Sequence, residues 1–483
     1  MPLGFLSKLF KKGGRPQVAE SEKVTGPQAV AKNYYIVASV ELGNTTTKCI
    51  LTATDLEEGI TYLIHKEVRM TRDVRPPRPG EEVFGETVWG VKLTREAVAE
   101  MVADVLKEAV RKAHISIDDV HFVVRSTGVT AGFASPEEVG EMIKALADGC
   151  LKAGIPPNKM TAAMSKEQIP EPFRKYSLID KVYFDGAVTG VKPPGGKEVV
   201  ANEMEGELVM AGIKVGAKST EVDFRNPCMA IDYGTTLAGR ITDDELPYAN
   251  TIGNLCGLAG AIMDAIVRGT GEVDEETGCA LDLPFDEVEP DVGEKAREYA
   301  EEVHEFIDIR EVPKTAKRFG TVPVDPKAAE KAGLKLIGCD VGENGSDLPK
   351  LSEIGREAYE EGGYELLFGV LDWTSALIAK RLIETALDLD LLTEDHAIGI
   401  TGRAGITGKK PELVYRIIEE EFSDLWNPDE DLVFVDDGLA RGAAVMARCM
   451  NCLGTPKNPL GGNRGMGCIL GLRIKHQQKD KAS

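Results

Sequence analysis

No apolar run in the 483-residue sequence approaches the roughly twenty residues that a membrane-spanning helix needs. The sequence also lacks a signal peptide, because its start does not combine an apolar centre with a small-residue cleavage site. These two absences argue against an integral helical membrane protein and predict a cytoplasmic location.

Positive charge is scarce as well. The chain has 57 Lys and Arg residues against 79 Asp and Glu residues, which gives a formal net charge of -22. Binding to nucleic acid depends on a clustered basic surface that neutralises phosphates, and this composition does not supply one. We therefore expect no nucleic-acid partner and interpret the acidic stretches as solvated surface.

Side chains that bind metals through nitrogen or sulfur are few. The six histidines form no pair with zinc-site spacing, and the nine cysteines are scattered and odd in number, which is typical of reduced thiols. Cys449, Cys452 and Cys468 cluster near the C-terminus, but iron–sulfur sites ordinarily use four cysteines. Reduced structural or redox-sensitive cysteines are therefore favoured over an iron–sulfur cluster, and we predict no metal other than magnesium.

What the sequence does contain is one glycine–threonine turn that occurs twice. The first copy lies at 35–51 and the second at 229–241. Each has an apolar strand, an acid (Glu41 or Asp232), a glycine, hydroxyl residues and then a cation. Glycine permits close backbone approach, amides and hydroxyls donate to phosphate oxygens, and a carboxylate can hold hydrated magnesium. The pattern predicts a nucleotide held between two hairpins.

The predicted roles follow the order of residues in each turn. Asp232 holds Mg²⁺ through water, Glu41 binds the metal or orients an attacking water, and Lys48 neutralises developing charge. The alternatives are an ordinary hairpin with an acid before its turn and, for Lys48, a solvated edge charge. The predicted phosphate donors are Gly43, Asn44, Thr45, Thr46 and Thr47 in the first copy and Gly234, Thr235 and Thr236 in the second.

Two strands near the C-terminus end in glycines and small residues, which let a flat ring approach the backbone. We predict that Gly402, Arg403, Ala404 and Gly405 wall the adenine and ribose, with Arg403 stacking or reaching the α-phosphate. The alternative is a glycine helix cap followed by a tightly packed helix. Close packing behind the ring is predicted for Gly438, Ala440 and Gly442.

The order of predicted elements indicates two copies of one α/β unit. A meander of strands up to residue 68 precedes a helix at 93–112 and a strand at 120–128. The same order of elements begins again at the second hairpin. Further helices are predicted at 136–153, 293–309 and 366–389. The predicted divisions are a tail at 1–32 with a short amphipathic segment, a first domain at 33–225, and a second domain at 226–483 with an acidic insertion at about 271–347.

These motifs together resemble the superfamily of acetate and sugar kinases, seventy-kilodalton heat-shock chaperones and actin. The hairpins resemble its phosphate loops, 123–130 and 257–264 its connecting segments, and 401–405 its adenosine loop. The resemblance implies duplicated ribonuclease H-like (actin-like ATPase) domains with an inserted subdomain, binding ATP or ADP with Mg²⁺. That superfamily usually has aspartate where this chain has Glu41, and the extra methylene moves the carboxylate by about 1.5 Å. Slow hydrolysis, or almost none, is therefore expected.

Over nearly its whole length the sequence also resembles the archaeal methanogenesis marker protein 14 family, including 401–405 and the glycine-rich tail at 459–467. That group is similar to ATP-driven reactivating factors of cobalamin enzymes and to activators of corrinoid proteins. The resemblance implies a reactivase- or chaperone-like role for a protein partner, a cofactor-dependent enzyme of methanogenesis. The alternatives are a small-molecule kinase and an actin-like scaffold. The amphipathic start at 5–12 motivates the scaffold and a membrane contact, and the sequence leaves a homo-oligomer open.

Overall fold

A computed structural model describes residues 15–127, 136–160, 171–176, 203–243, 251–331, 333–451 and 453–454. The predictions for the segment at 5–12, for Cys452 and Cys468, and for the tail at 459–467 lie outside the described residues. So do residues 128–130 of the first connecting segment. None of the helices in the described ranges is both long and apolar enough to cross a membrane.

The first half of the described chain builds a four-stranded sheet. Its elements are β1 (Gln17–Ala19), α1 (Gly26–Ala31), β2 (Tyr35–Leu42), β3 (Thr46–Thr54), β4 (Thr61–Met70), β5 (Val83–Glu86), β6 (Lys92–Thr94), α2 (Arg95–Lys112), β7 (Phe122–Thr127) and α3 (Pro136–Ala153). β2, β3 and β4 form an antiparallel meander, and β7 lies parallel to β2. Helices α2 and α3 cover one face of this sheet, and the paired strands β5 and β6 lie apart from it.

The second half builds a larger sheet. Its elements are α4 (Glu203–Gly216), β8 (Cys228–Tyr233), β9 (Leu237–Thr242), β10 (Thr251–Gly257), α5 (Gly260–Val267), α6 (Glu294–His304), β11 (Ile307–Glu311), β12 (Arg318–Phe319), β13 (Val322–Pro323), α7 (Pro326–Lys331), β14 (Lys335–Val341), α8 (Leu348–Asp388), β15 (Ala397–Thr401), α9 (Arg403–Ile406), α10 (Lys410–Glu421), α11 (Pro428–Asp431), β16 (Leu432–Val435) and α12 (Gly438–Met450). The largest core lies between this sheet and α5, α6 and α8.

The strand order shows that one unit occurs twice. The second sheet runs β1-β16-β15-β8-β9-β10-β14-β11, in which β8, β9 and β10 form an antiparallel meander and β15 and β16 continue parallel to β8. Its part β10-β9-β8-β15 repeats the order β4-β3-β2-β7 of the first sheet. The predicted α/β fold with duplicated ribonuclease H-like units is therefore confirmed.

The acidic segment at about 271–347 adds strands to the second sheet. β14 pairs with β10, and β11 pairs with β14 at the sheet edge. The helix predicted at 293–309 is too long at its end, because α6 stops at His304 and Ile307 already begins β11. Ile307 and Ile309 alternate with polar residues, and this two-residue period suits a strand with one buried face.

Two further segments differ from the predictions. The helix predicted at 366–389 corresponds to the second part of α8. A first helical part that starts at Leu348 was not predicted, and the backbone leaves helical geometry between the two parts at Gly362 and Gly363, where the φ of Gly363 is +63°. Residues 15–31, predicted to belong to a polar tail, contain β1 and α1. β1 pairs with β16, and the backbone of Val24 donates to Leu63 in β4 over 3.0 Å.

Two crossing helices connect the halves. α4 precedes the second sheet and packs against it, whereas α12 follows β16 and packs against the first sheet. A Cβ atom on Gly212 would lie 1.7 Å from the carbonyl oxygen of Gly438, and one on Gly442 would lie 1.7 Å from that of Leu208. Glycine is required at both positions, because any side chain would push the helices apart.

Candidate functional site

A cleft lies between the two sheets at the turns of both hairpins. Its open space, including the mouth to solvent, amounts to about 1480 Å³. The segments that line it are the β2–β3 hairpin, the β8–β9 hairpin, the glycine loop after β15 and the start of α12. Predicted site residues among the lining are Glu41, Thr45, Thr46, Lys48, Asp232, Gly234, Thr235, Gly402, Arg403, Ala404, Gly438 and Ala440.

The two hairpins face each other across this cleft. The hydroxyl of Thr45 lies 2.7 Å from that of Thr235 in the other hairpin. It also donates to Oδ2 of Asp264 in α5 over 3.2 Å. Asp264 Oδ1 in turn accepts the backbone N–H of Ala280 over 2.9 Å. The turns that the sequence pairs as phosphate loops therefore meet in space.

Several predicted donors do not line the cleft. Thr47 directs its hydroxyl to that of Thr71 at 3.0 Å, because successive side chains of β3 point to opposite faces. Asn44 Oδ1 accepts the backbone N–H of Val88 over 2.9 Å, and Gly43 donates its N–H to the carbonyl of Thr46 over 2.9 Å. These residues hold the first turn in shape.

Thr236 and Gly405 are also set back from the cleft. The side chain of Thr236 is buried, and its residue bridges to Leu258. Gly405 lies against Tyr233, since a Cβ atom there would come within 2.5 Å of the tyrosine ring. Thr236 and Gly405 therefore pack behind the residues that form the cleft surface.

One acid and one lysine form the inner end of the first hairpin. Glu41 and Lys48 stand opposite each other on β2 and β3, and Lys48 Nζ lies 3.3 Å from Glu41 Oε2. Burial lowers the pKa of Lys48, but the carboxylates of Glu41 and Asp232 outweigh burial and the net shift is upward. Lys48 is therefore charged at neutral pH.

Asp232 is the matching acid of the second hairpin, and it is buried. It forms no ion pair within the described residues. Burial raises its pKa, the neighbouring Glu41 raises it further, and Lys48 opposes both. A cation close to Asp232 and Glu41 would relieve this repulsion.

The cleft as a whole carries more acids than bases. Six carboxylates line it: Glu41, Asp232, Asp264, Asp286, Asp436 and Asp437. Of the four cations, Lys48 is paired with Glu41, Lys66 with Asp437 and Lys410 with Asp372. Arg403 makes no ion pair or hydrogen bond through its side chain within the described part of the chain. Its guanidinium is thus available to an anionic ligand.

The glycine loop after β15 is tightly constrained. Gly402 has a φ of +88°, and a Cβ atom there would lie 2.5 Å from both Asp232 Oδ1 and the Tyr233 carbonyl oxygen. Thr401 Oγ1 donates to the carbonyl of Val435 over 2.6 Å and accepts the N–H of Gly438 over 3.1 Å. The ends of β15 and β16 are thereby fixed side by side, as a flat wall requires.

The sequence did not single out several lining residues. Lys66 comes from the edge strand β4 and Lys410 from α10, whereas Asp264, in α5, ends the predicted connecting segment 257–264 without having been predicted as a site residue. Phe285 and Leu281, in the acidic segment, add apolar surface. None of these lies in a repeated turn, so only their position in the folded chain assigns them to the cleft.

No group of three or more His, Cys, Asp or Glu residues in the described ranges is arranged to hold a metal ion directly. Magnesium usually keeps several waters and needs only one or two carboxylates from the protein. Glu41 and Asp232 meet that smaller requirement. The seven described cysteines are buried, and Cys449 lies among them.

Two solved structures resemble the chain weakly. One is described as a reductive activator for corrinoid, iron-sulfur protein, with 10% identity, a TM-score of 0.33, and coverage of 86% of this chain and 60% of the other. The other is a ROK family glucokinase from Streptomyces griseus in complex with glucose and AMPPNP, with 13% identity, a TM-score of 0.31, and coverage of 86% and 99%.

Two relatives have a much higher sequence identity to the chain. An uncharacterized protein of Methanocaldococcus jannaschii is 65% identical over 475 residues, covering 98% of both chains. An uncharacterized protein of Methanothermobacter thermautotrophicus is 57% identical over 496 aligned positions, covering 99% of this chain and 92% of the relative. Residues 34–477 match the family described as "Uncharacterized protein conserved in archaea (DUF2114)", and the chain belongs to that family.

Proposed function

We propose that this protein binds Mg–ATP and Mg–ADP in the cleft between its halves and acts as a nucleotide-dependent switch with slow hydrolysis. The observation that carries the proposal is the contact of the two hairpins, in which Thr45 meets Thr235 at 2.7 Å. Hydroxyls and backbone amides from two directions suit a chain of phosphates.

Because the cleft has an excess of negative charge, the nucleotide would bind together with a divalent cation. Two more carboxylates than cations line it, so a bare triphosphate would be repelled. Magnesium, held through water by Asp232 and Glu41, would supply charge neutralisation at the phosphates. Lys48 lies beside the same two acids and would share that task.

The nucleoside would lie against the wall after β15. Gly402, Ala404 and Gly438 offer backbone at close range. Arg403, whose side chain has no partner among the described residues, would stack on the base or reach a phosphate. Phe285, whose ring centre lies 5.9 Å from Lys410 Nζ, adds apolar surface to the cleft, which would suit a base.

The two halves give such a site a means of switching. Contacts that cross the cleft include Thr45 with Asp264, Lys66 with Asp437, and Arg72 with Asp282 at 2.7 Å. Opening would break all of them while the crossing of α4 and α12 persists as the pivot. A nucleotide that binds one arrangement more tightly would shift the balance between open and closed forms.

The proposed client is a protein, namely a cofactor-dependent enzyme of methanogenesis that needs activation. Support comes from the resemblance to methanogenesis marker protein 14 and to reactivating factors, and from relatives in two archaea whose genus names refer to methane. A reactivase-like factor loads or releases its client as the nucleotide changes.

Calorimetry on the full-length chain tests the nucleotide site. Mg–ATP and Mg–ADP should each give a saturable binding signal, and Arg403→Ala should weaken both by about 10- to 150-fold, because a hydrogen bond to a charged group is worth about 1.5–3 kcal/mol. The matched control is Arg310→Ala on β11, which faces solvent beside Asp308 and should bind as the unaltered protein does. No heat with either nucleotide would refute the proposal.

A retention experiment tests the switch. The tagged protein is held on resin with ATP, then with ADP, and the captured proteins are compared by mass spectrometry. A partner that is retained in one nucleotide state supports the switch, whereas identical sets in both states contradict it.

A further inference from the structure

Arg448, in the last turn of α12, is a buried cation with one unused edge of hydrogen-bond donors. The residue is 4% exposed, and neither Nε nor Nη2 of its guanidinium has a hydrogen-bond partner among the described residues. These two atoms lie on one edge of the guanidinium plane, where their N–H bonds match the two oxygens of a carboxylate or phosphate. Buried donors are nearly always paired, so an unused edge at this depth indicates a site for an acceptor.

The same edge binds a carboxylate elsewhere in the chain. The exposed Arg111 of α2 donates from Nε and Nη2 to the two carboxylate oxygens of Glu108 over 2.8 and 2.6 Å. No carboxylate in the described ranges forms an ion pair with Arg448, and the groups that act on its charge are the Cys449 thiol and the Tyr35 hydroxyl. Burial lowers the pKa of Arg448, but a guanidinium stays charged at neutral pH. The fold therefore buries a positive charge without the acid that normally accompanies one.

A second cation lies close to Arg448. Lys218 belongs to a short 3-10 helix (Ala217–Ser219) that directly follows α4, and it lies at the protein surface. Partial burial lowers the pKa of its ammonium group, and the Arg448 guanidinium lowers it further, because the two positive charges repel each other. An anion held by both side chains would relieve this repulsion.

The two cations lie at the end of the pivot that is remote from the nucleotide cleft. Gly438, the first residue of α12, lines the cleft, and Arg448 follows about 15 Å further along the helix axis. Asn451 ties this end of α12 to the first sheet, since its side chain donates to the Tyr35 hydroxyl over 3.1 Å. Neither Arg448 nor Lys218 lines the cleft.

We propose that Arg448 and Lys218 bind a small oxyanion, a carboxylate or phosphate group, at this end of the pivot. Arg448 holds two of its oxygens through Nε and Nη2, and Lys218 neutralises its charge from the surface side. Because Lys218 follows α4 and Arg448 lies in the last turn of α12, the bound ion joins the two crossing helices. The site is separate from the cleft and does not depend on the proposed nucleotide function.

Thermal unfolding of the full-length protein tests the site, with EDTA present so that the acidic cleft holds no magnesium. Sodium phosphate or sodium acetate should raise the melting temperature in a saturable manner, relative to sodium chloride of equal ionic strength. A response to either ion supports the site, and the stronger response gives the class of its ligand. If neither ion has an effect, the inference is wrong.

Three variants assign the response to the two cations. Arg448→Lys keeps the charge but loses the two-donor edge, so it should weaken the apparent affinity by about 10- to 150-fold, the value of one hydrogen bond to a charged group. Arg448→Met removes the buried charge as well, so it should abolish the response and melt no lower than the unaltered protein in chloride. Lys218→Ala, at the surface, should weaken the affinity by about fivefold at most.

The matched control is Arg111→Met, which removes a guanidinium whose edge Glu108 already occupies, and it should respond to the ions as the unaltered protein does. Arg403→Ala reports on an ion bound in the cleft instead. A response that is kept in Arg448→Lys and Arg448→Met, or that is lost in Arg403→Ala alone, overturns the inference.

Discussion

The two hairpins have turns of the same sequence pattern, but they differ in how charged residues are placed. In the first, Glu41 stands across from Lys48, and the two side chains form an ion pair. In the second, Asp232 stands across from Ala238 and has no ion partner in the described part of the chain. The first hairpin therefore neutralises its own acid, whereas the acid of the second has no such partner among the described residues. We therefore expect Asp232, more than Glu41, to contact the hydrated cation of the proposed ligand.

Replacing each acid by its amide tests most directly whether Asp232 and Glu41 differ in their contribution to nucleotide binding. Asp232→Asn should weaken Mg–ADP binding by about 10- to 100-fold, the usual cost of losing a group that holds a metal through its outer shell. Glu41→Gln should cost about threefold or less, because it releases Lys48 to the phosphates. Calorimetry in magnesium gives both values.

The same pair of variants supplies its own control when magnesium is chelated. Asp232→Asn removes a negative charge from an acidic cleft, so it should bind metal-free ADP more tightly than the unaltered protein. Equal losses for the two variants in magnesium would show that the hairpins do not differ in the proposed way.

The two turns also differ in how much space surrounds their glycines. A Cβ atom on Gly43 would lie 2.7 Å from the Thr46 carbonyl oxygen, whereas one on Gly234 would lie 3.1 Å from that of Thr236. Gly43→Ala should therefore cost about 1–3 kcal/mol of stability, and Gly234→Ala less than about 1 kcal/mol. Thermal unfolding measures both, and a larger loss for Gly234→Ala would contradict the geometry.

The smallest expected effect concerns Asp264, the acid in α5 that accepts a hydrogen bond from Thr45 of the first hairpin. Burial raises the pKa of Asp264 from 3.8 to about 6, despite the bonds from Ala280 and Thr45. Between pH 4 and pH 6 the unfolded chain loses this proton while the folded chain keeps it, so stability falls as pH rises through that window. Asp264→Asn should melt about 2–4 °C higher than the unaltered protein at pH 7.5 and equally at pH 4.

Asp282→Asn is the control of opposite sign. The bonds from Arg72 lower the pKa of Asp282, so its contribution is present at neutral pH and lost on acidification. This variant should melt below the unaltered protein at pH 7.5. A stability gap for Asp264→Asn that does not change with pH would contradict the role given to burial.

The sequence predicted the parts of the fold that local patterns determine. Both hairpins, their order and the glycine loop follow from short motifs, and the duplicated unit follows from their repetition. Strand alternation could also have separated Thr46, which lines the cleft, from Thr47, which does not. The repeated pattern concealed that difference because it treats all three threonines alike.

Other features depend on contacts between distant segments. Gly212 in α4 meets Gly438 at the start of α12 only because two helices from distant parts of the chain cross, and no spacing along the chain encodes that contact. The helix predicted at 293–309 was extended too far because the pairing that makes 307–311 a strand comes from β14. A local sequence pattern does not reveal which residue of a distant strand pairs with a given residue.

The short strand β1 has a consequence for how the chain reaches its fold. Its register joins Gln17 to Val433, so β1 pairs with a strand that is synthesised about 400 residues after it. Arg441 secures it by donating to the Ala19 carbonyl over 2.8 Å. During synthesis β1 therefore has no partner strand in the larger sheet until β16 has emerged, because this pairing joins segments that are far apart along the chain.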